Sequence, residues 1–230
     1  MSGVSRLQYA TEIRLIRVMC SGRVDLEFVL RALSNGMDGV FIGGCRLNEC
    51  NYITHGNYDA LAMVLLCKKI MEQIGLNPER LQIGFMSSGE GNLFVEAVND
   101  FVKKVRELGP LGKGEGIDGS GLALKLQAAT ELVPYVKLVE RERLRVPTRS
   151  EEAYHEYYSS DEVNRLIGEL ILDKLAMSQI TSLLGERPLP TSEIAGILGL
   201  SPSEVSKHLG SSSQHGFVRY DESRKCYVLA

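Results

Sequence analysis

No run of apolar residues approaches the roughly 20 that a membrane-spanning helix needs; residues 61–67 are typical of the longest. The N-terminus carries Arg6 and Glu12 but no apolar stretch of a secretory signal. Neither sign of charge dominates. The 26 Lys and Arg residues against 29 Asp and Glu leave a net charge of −3, so no overall field draws the chain to nucleic acid or acidic lipid. Cysteines number five, an odd count, and without a secretory signal this argues against a disulfide framework. Tryptophan is absent, and nothing follows from that. A cytoplasmic protein with no membrane association is expected. What is present is 230 residues at 44% hydrophobic and 24% charged, an ordinary globular composition. The length suits one large domain or two smaller ones.

Apolar patterning alternates between two periods over the first half. Residues 12–19 and 80–86 read as strands, and the near-continuously apolar 38–44 reads as a strand buried on both faces. Between and after them, 25–33, 58–74 and 92–108 carry helical stripes, with Asp25 as N-cap and Gly36 and Gly75 as stops. This β-α-β-α-β-α order implies a small parallel sheet flanked by helices. Three strands are few for such a sheet, and a further strand ahead of residue 1, or one from a partner, is expected.

The chemistry concentrates where two of these strands end. Cys45 and Cys50 lie on a glycine-rich loop after 38–44, and Cys20 with Gly22 follows 12–19. In open α/β sheets the carboxyl ends of parallel strands are where ligands bind. Were the strands neighbours, three thiols would meet at one rim, a donor set for a metal or iron–sulfur group. The plainer alternative is that each cysteine is a small buried hydrophobe, because a C-x4-C spacing matches no standard zinc pattern. Cys67, inside the 58–74 helix beside Leu66, Ile70 and Met71, reads as core packing.

Residues 109–121 hold a glycine-rich run that reads as a linker or flexible loop and lacks the Gly-Lys-Ser/Thr ending of a phosphate loop. Residues 122–132 read as a helix that Pro134 bends or ends, 141–145 as a solvated charged face, and 161–184 as one long helix. In the tail, 191–200 and 204–209 look like a helix-turn-helix, and 216–220 with 226–229 like a β-wing. The expected divisions are 1–110, a linker and helical segment over 111–184, and a winged helix-turn-helix-like domain over 185–230. Lys207, Arg219, Arg224 and Lys225 are few cations for a phosphate-driven interface. Protein docking or dimerisation is therefore expected of the tail ahead of DNA contact.

Several segments together carry a family resemblance. They are Gly3-Val4-Ser5-Arg6, Met19-Cys20-Ser21-Gly22-Arg23-Val24-Asp25, Asp38-Gly39-Val40, Gly44-Cys45, Glu49-Cys50-Asn51-Tyr52, Gly56-Asn57, Asn77-Pro78-Glu79-Arg80-Leu81, Glu90-Gly91 and Leu108-Gly109-Pro110. On these, residues 3–110 resemble the delta-subunit family of methyl-viologen-reducing (F420-non-reducing) hydrogenase, the FlpD-like domain. The resemblance implies a [2Fe–2S] cluster with Cys20, Cys45 and Cys50 as ligands. It implies electron transfer from a hydrogenase or formate dehydrogenase to the flavin-containing subunit of heterodisulfide reductase, within a hetero-oligomer of anaerobic, methanogenic metabolism. Arg46 and Asn51 stand where the family often has His. The family's additional leading strand with its Cys-x-x-Cys-type segment has no counterpart in the sequence. The fourth ligand that a [2Fe–2S] cluster takes is then expected upstream, from a partner, or from a side chain such as His55.

Three functions follow in order of expectation. The first is an electron-transfer subunit that performs no bond chemistry of its own. The alternatives are a scaffold without a cluster and a redox-responsive DNA-binding protein.

Overall fold

The computed structural model describes residues 7–52 and 54–230; the resembling segment at residues 3–6 lies outside them. In chain order the elements are α1 (Leu26–Ser34), β1 (Val40–Gly44), α2 (Asn57–Gln73), β2 (Leu81–Phe85), α3 (Gly91–Leu108), α4 (Gly119–Arg143) and α5 (Glu151–Ser159). There follow α6 (Asp161–Ile167), a π turn (Gly168–Leu172), α7 (Asp173–Glu186), α8 (Thr191–Leu198), α9 (Pro202–Gln214), β3 (Val218–Asp221) and β4 (Cys226–Leu229). The fold is mixed α/β and mostly helical. A small parallel sheet lies in the N-terminal half, and a winged helix-turn-helix-like arrangement in the C-terminal half. None of the described helices is long and apolar enough to cross a membrane.

Two units divide the chain: residues up to Gly116 together with Val146–Ser160, and Ile117–Arg145 together with Asp161–Ala230. In the first, β1 and β2 pair in parallel from Val40–Leu81 to Gly44–Phe85. Helix α2 is its core, burying Leu61, Val64, Leu66, Cys67, Ile70 and Met71. Asp25 caps α1 through Glu27 N–H at 3.1 Å, as its sequence position predicts.

The strand expected over 12–19 does not form. Leu15, Ile16 and Met19 are 70%, 83% and 84% exposed, and no described strand pairs with the segment. Alternation records which residues could face a core. It does not supply a partner edge, and without ladder hydrogen bonds an extended segment gains no strand.

The glycine-rich run after α3 differs from a flexible linker through residue 116. Arg80, 0% exposed at the head of β2, donates to the carbonyls of Asp38 and Gly109 at 2.9 Å each, and to those of Leu108 and Pro110. It also pairs with Glu115 at 2.5 Å, and Glu115 in turn accepts from Gly112 N–H at 2.9 Å. One guanidinium thus satisfies the last carbonyls of α3 and pins the turns that follow.

In the second unit α4 runs through Pro134 rather than ending there. Pro in a helix interior costs about 3 kcal/mol. The helix buries Leu126, Ala128 and Ala129 before the proline and Val136 and Val139 after it, so burial on both sides outweighs the lost hydrogen bond. The long helix expected over 161–184 is α6 and α7 joined by the π turn. Helices α8 and α9 pack Ile194, Leu198, Val205 and Leu209 with Ile180 and Leu184 of α7 and Val218 of β3 in one apolar cluster. Ser201 caps α9 in a reciprocal capping box with Glu204. β3 and β4 form the antiparallel wing.

Candidate functional site

Three loops of the first unit meet beyond the carboxyl end of the parallel pair. The first begins at Cys20 and continues as a tight turn over Ser21–Arg23. The second leaves β1 at Gly44 and holds Cys45 and Cys50, reversing through Asn48 at a φ of 69°. Asn tolerates that left-handed backbone better than most residues. The third ends at Gly56, where α2 starts.

These loops touch because glycines let them. A Cβ on Gly22 would collide with the carbonyl of Gly56, and one on Gly56 would stand 2.6 Å from Cys50 Sγ. A side chain at either position would push the loops apart.

The sulfurs are thereby brought together. Cys20 Sγ and Cys50 Sγ are 3.9 Å apart, and the thiols of Cys45 and Cys50 also interact by hydrogen bonding. Asn57, 2% exposed at the first position of α2, fixes the Cys45 loop. Its amide donates to the carbonyls of Cys45 and Arg46 at 2.9 and 2.7 Å, and its Nδ2 lies 3.6 Å from Cys45 Sγ. Arg46 forks onto both carboxylate oxygens of Glu90, which accepts from Ser87 N–H at 2.7 Å; this ties the loop after β1 to the loop after β2.

The three thiols are not equivalent. Burial raises the Cys50 pKa, but the N–H groups of Tyr52 and Asn57, with the Cys45 and Cys20 thiols, outweigh it and leave the thiol below its ordinary value. Cys50 thus sits on the free N–H groups at the start of α2, where an anion is favoured. Burial raises Cys20, opposed by the Gly22 N–H and reinforced by Cys50. Partial covering raises Cys45, reinforced by its hydrogen bond with Cys50. The charge of the trio is therefore held first at Cys50.

The other candidates lie apart from this chemistry. His55 is 84% exposed in its side chain and its Nδ1 is 3.1 Å from Asp59 Oδ2. Cys67 is fully buried within α2, its thiol pushed up to about 12 by burial, in keeping with core packing. Cys226 is buried in the second unit.

Three soft sulfur donors with N–H groups directed at sulfur fit an iron–sulfur group at three positions. As they stand, no group of three or more His, Cys, Asp or Glu among the described residues is arranged to hold a metal ion. Asn57 is the functional residue that sequence reasoning left without a role. The available signal was its place at the start of the clearest helix, directly after a glycine.

Comparison with known proteins adds to this geometry. The family described as methyl-viologen-reducing hydrogenase, delta subunit, matches residues 1–109, and the bacterial regulatory protein, arsR family, matches residues 176–220. One relative is a large subunit-type chain of the ferredoxin/F(420)H(2)-dependent CoB-CoM heterodisulfide reductase of Methanosarcina acetivorans. The first half is 49% identical to it over 112 residues, covering 49% of this chain and 14% of that protein. A second is an iron-sulfur subunit of the F420-non-reducing hydrogenase of Archaeoglobus profundus, 43% identical over 110 residues and covering 48% of this chain and 80% of the relative. The vhu iron-sulfur subunit of the F420-non-reducing hydrogenase of Methanopyrus kandleri is 42% identical over 111 residues, covering 48% of this chain and 83% of the relative. The chain therefore spans most of these hydrogenase relatives but only a small part of the heterodisulfide reductase ones.

Proposed function

The chain belongs to the methyl-viologen-reducing hydrogenase delta-subunit family, and from that premise we propose that it is an iron–sulfur electron-transfer subunit of a redox complex. The observation that carries the reading is the meeting of the Cys20, Cys45 and Cys50 loops beside the N-terminus of α2. Cys20, Cys45 and Cys50 would hold the group, of [2Fe–2S] type, and when bound it would supply a one-electron centre.

The chain's own residues would then do three things. The N–H groups of Gly22, Tyr52 and Asn57 stabilise sulfur anions. The Asn57 amide and the Arg46–Glu90 fork hold the Cys45 loop in one geometry. The partial exposure of Cys20 and Cys50 and the greater exposure of Cys45 leave the centre near the surface, where a partner's redox group can approach it. The proposed donor is a hydrogenase or formate dehydrogenase, and the proposed acceptor is the flavin subunit of a heterodisulfide-reductase-type complex. The names of the relatives, one from a hydrogenase and one from a heterodisulfide reductase, support that pairing.

Protein purified or reconstituted without oxygen is expected to contain iron and acid-labile sulfide and to give an EPR signal on reduction. Iron-free protein after anaerobic reconstitution would overturn the reading.

The arsR-type match and the winged fold favour a second reading, a redox-responsive DNA-binding protein. The charges weaken it. Lys207 on α9 is engaged by Asp173, and Arg224 of the wing lies 3.9 Å from Asp221. Phosphate attraction supplies most non-specific DNA affinity, and this surface has little uncommitted positive charge to supply it. Protein docking is the role proposed for the second unit.

A further inference from the structure

Ser21 is 5% exposed, and its hydroxyl has no hydrogen-bond partner. A buried donor left unmade costs about 1–3 kcal/mol, so such a group calls for a physical reason. The position of this one is informative. Ser21 directly follows Cys20 and opens the tight turn of the first loop. Its Oγ lies where a Cβ on Gly44 would meet it at 2.9 Å, and Gly44 directly precedes Cys45. The hydroxyl is therefore held one residue from each of two thiols, on different loops, with its proton uncommitted. What the site lacks is an acceptor. At a rim built from thiols, the acceptor that chemistry supplies is an anionic sulfur, either a ligating thiolate or a bridging sulfide.

We propose that the Ser21 hydroxyl is a positioning and tuning group that donates a hydrogen bond to sulfur of the iron–sulfur group held by Cys20, Cys45 and Cys50. The inference rests on the cluster reading above and adds a residue to it. A hydrogen bond to sulfur strengthens as an electron arrives and the negative charge on sulfur grows, so it raises the reduction potential. Burial of the hydroxyl keeps water from competing for the same acceptor.

The experiment compares unmodified protein with Ser21→Ala and Ser21→Thr, all reconstituted anaerobically. Iron and sulfide are assayed first, and the midpoint potential is then titrated by EPR. Ser21→Ala is expected to keep its iron and to favour the oxidised form about tenfold more, which for one electron is about 59 mV lower in potential. Ser21→Thr, which retains the hydroxyl, is expected to stay near the unmodified potential. Should alanine reduce iron loading, Ser21→Gly removes the same hydroxyl and carries the test. Full iron with an unchanged potential in the variants lacking the hydroxyl would overturn the role of Ser21 while leaving the cluster in place. Absence of iron in the unmodified protein would overturn the cluster reading, and the role of Ser21 with it.

Discussion

Replacing Arg80 with methionine is expected to destabilise the first unit by about 3–5 kcal/mol, the usual cost of removing one partner from a buried ion pair. The guanidinium is 0% exposed and Glu115 is 9% exposed, so neither charge is sustained by water. Its loss would leave the Glu115 carboxylate buried and uncompensated. It would also strand carbonyls at Asp38, Leu108, Gly109 and Pro110. Urea unfolding at neutral pH measures the difference.

The same pair sets a pH dependence with a definite sign. Burial raises the Glu115 pKa, but Arg80, with the N–H groups of Asn77 and Gly112, brings it below the ordinary carboxylate value. A folded-state pKa below the unfolded one contributes stability that is fully present above the unfolded value, about 4.3 for Glu. That stability is lost as pH falls through the lower folded value. In the variant the remaining burial favours the protonated acid. The gap between unmodified protein and Arg80→Met should therefore be widest near neutrality and narrow below about pH 4. A gap that is constant across that range would remove Glu115 from the explanation.

The second large effect concerns the thiols. Serine at position 20, 45 or 50 is expected to lower bound iron about tenfold or more, since a hydroxyl is a poor substitute for thiolate in an iron–sulfur site. Cys67→Ser is expected to leave the iron-binding loops intact, because Cys67 is enclosed within α2. Its cost falls on stability, through a hydroxyl placed in an apolar core. Among the three ligand positions Cys50 should matter most, since its sulfur interacts with both other thiols and accepts from the N–H groups of Tyr52 and Asn57. Iron and sulfide assays on the four variants separate the two classes. Equal iron in all four would show that the thiol rim does not bind it.

Much of this was legible in the sequence, for reasons particular residues make plain. The helical stripe from Leu61 to Ile74 and the apolar run ending at Gly44 each bury a continuous face, so local patterning was enough to find α2 and β1. The meeting of Cys20 with the Cys45 loop was readable from loop placement alone, although the strand invoked ahead of Cys20 is absent. Turn chemistry carried the winged unit, where Ser201, Pro202 and Glu204 announce α9. What stayed hidden depends on distant chain segments. Arg80 and Glu115 are 35 positions apart, and Glu115 lies in a run whose glycines read as flexibility. Pro134 reads as a breaker until the packing on either side of it is known. Ser21 and Asn57 are polar residues in loops, and their burial appears only when three loops close on one another.

X-ray absorption at the iron edge of anaerobically reconstituted protein tests the central claim most directly. Cooperation of the Cys20, Cys45 and Cys50 sulfurs predicts iron surrounded mainly by sulfur, with another iron as its next neighbour, and loss of that spectrum in Cys45→Ser. Iron coordinated by oxygen and nitrogen, or a spectrum identical in Cys45→Ser, would contradict it.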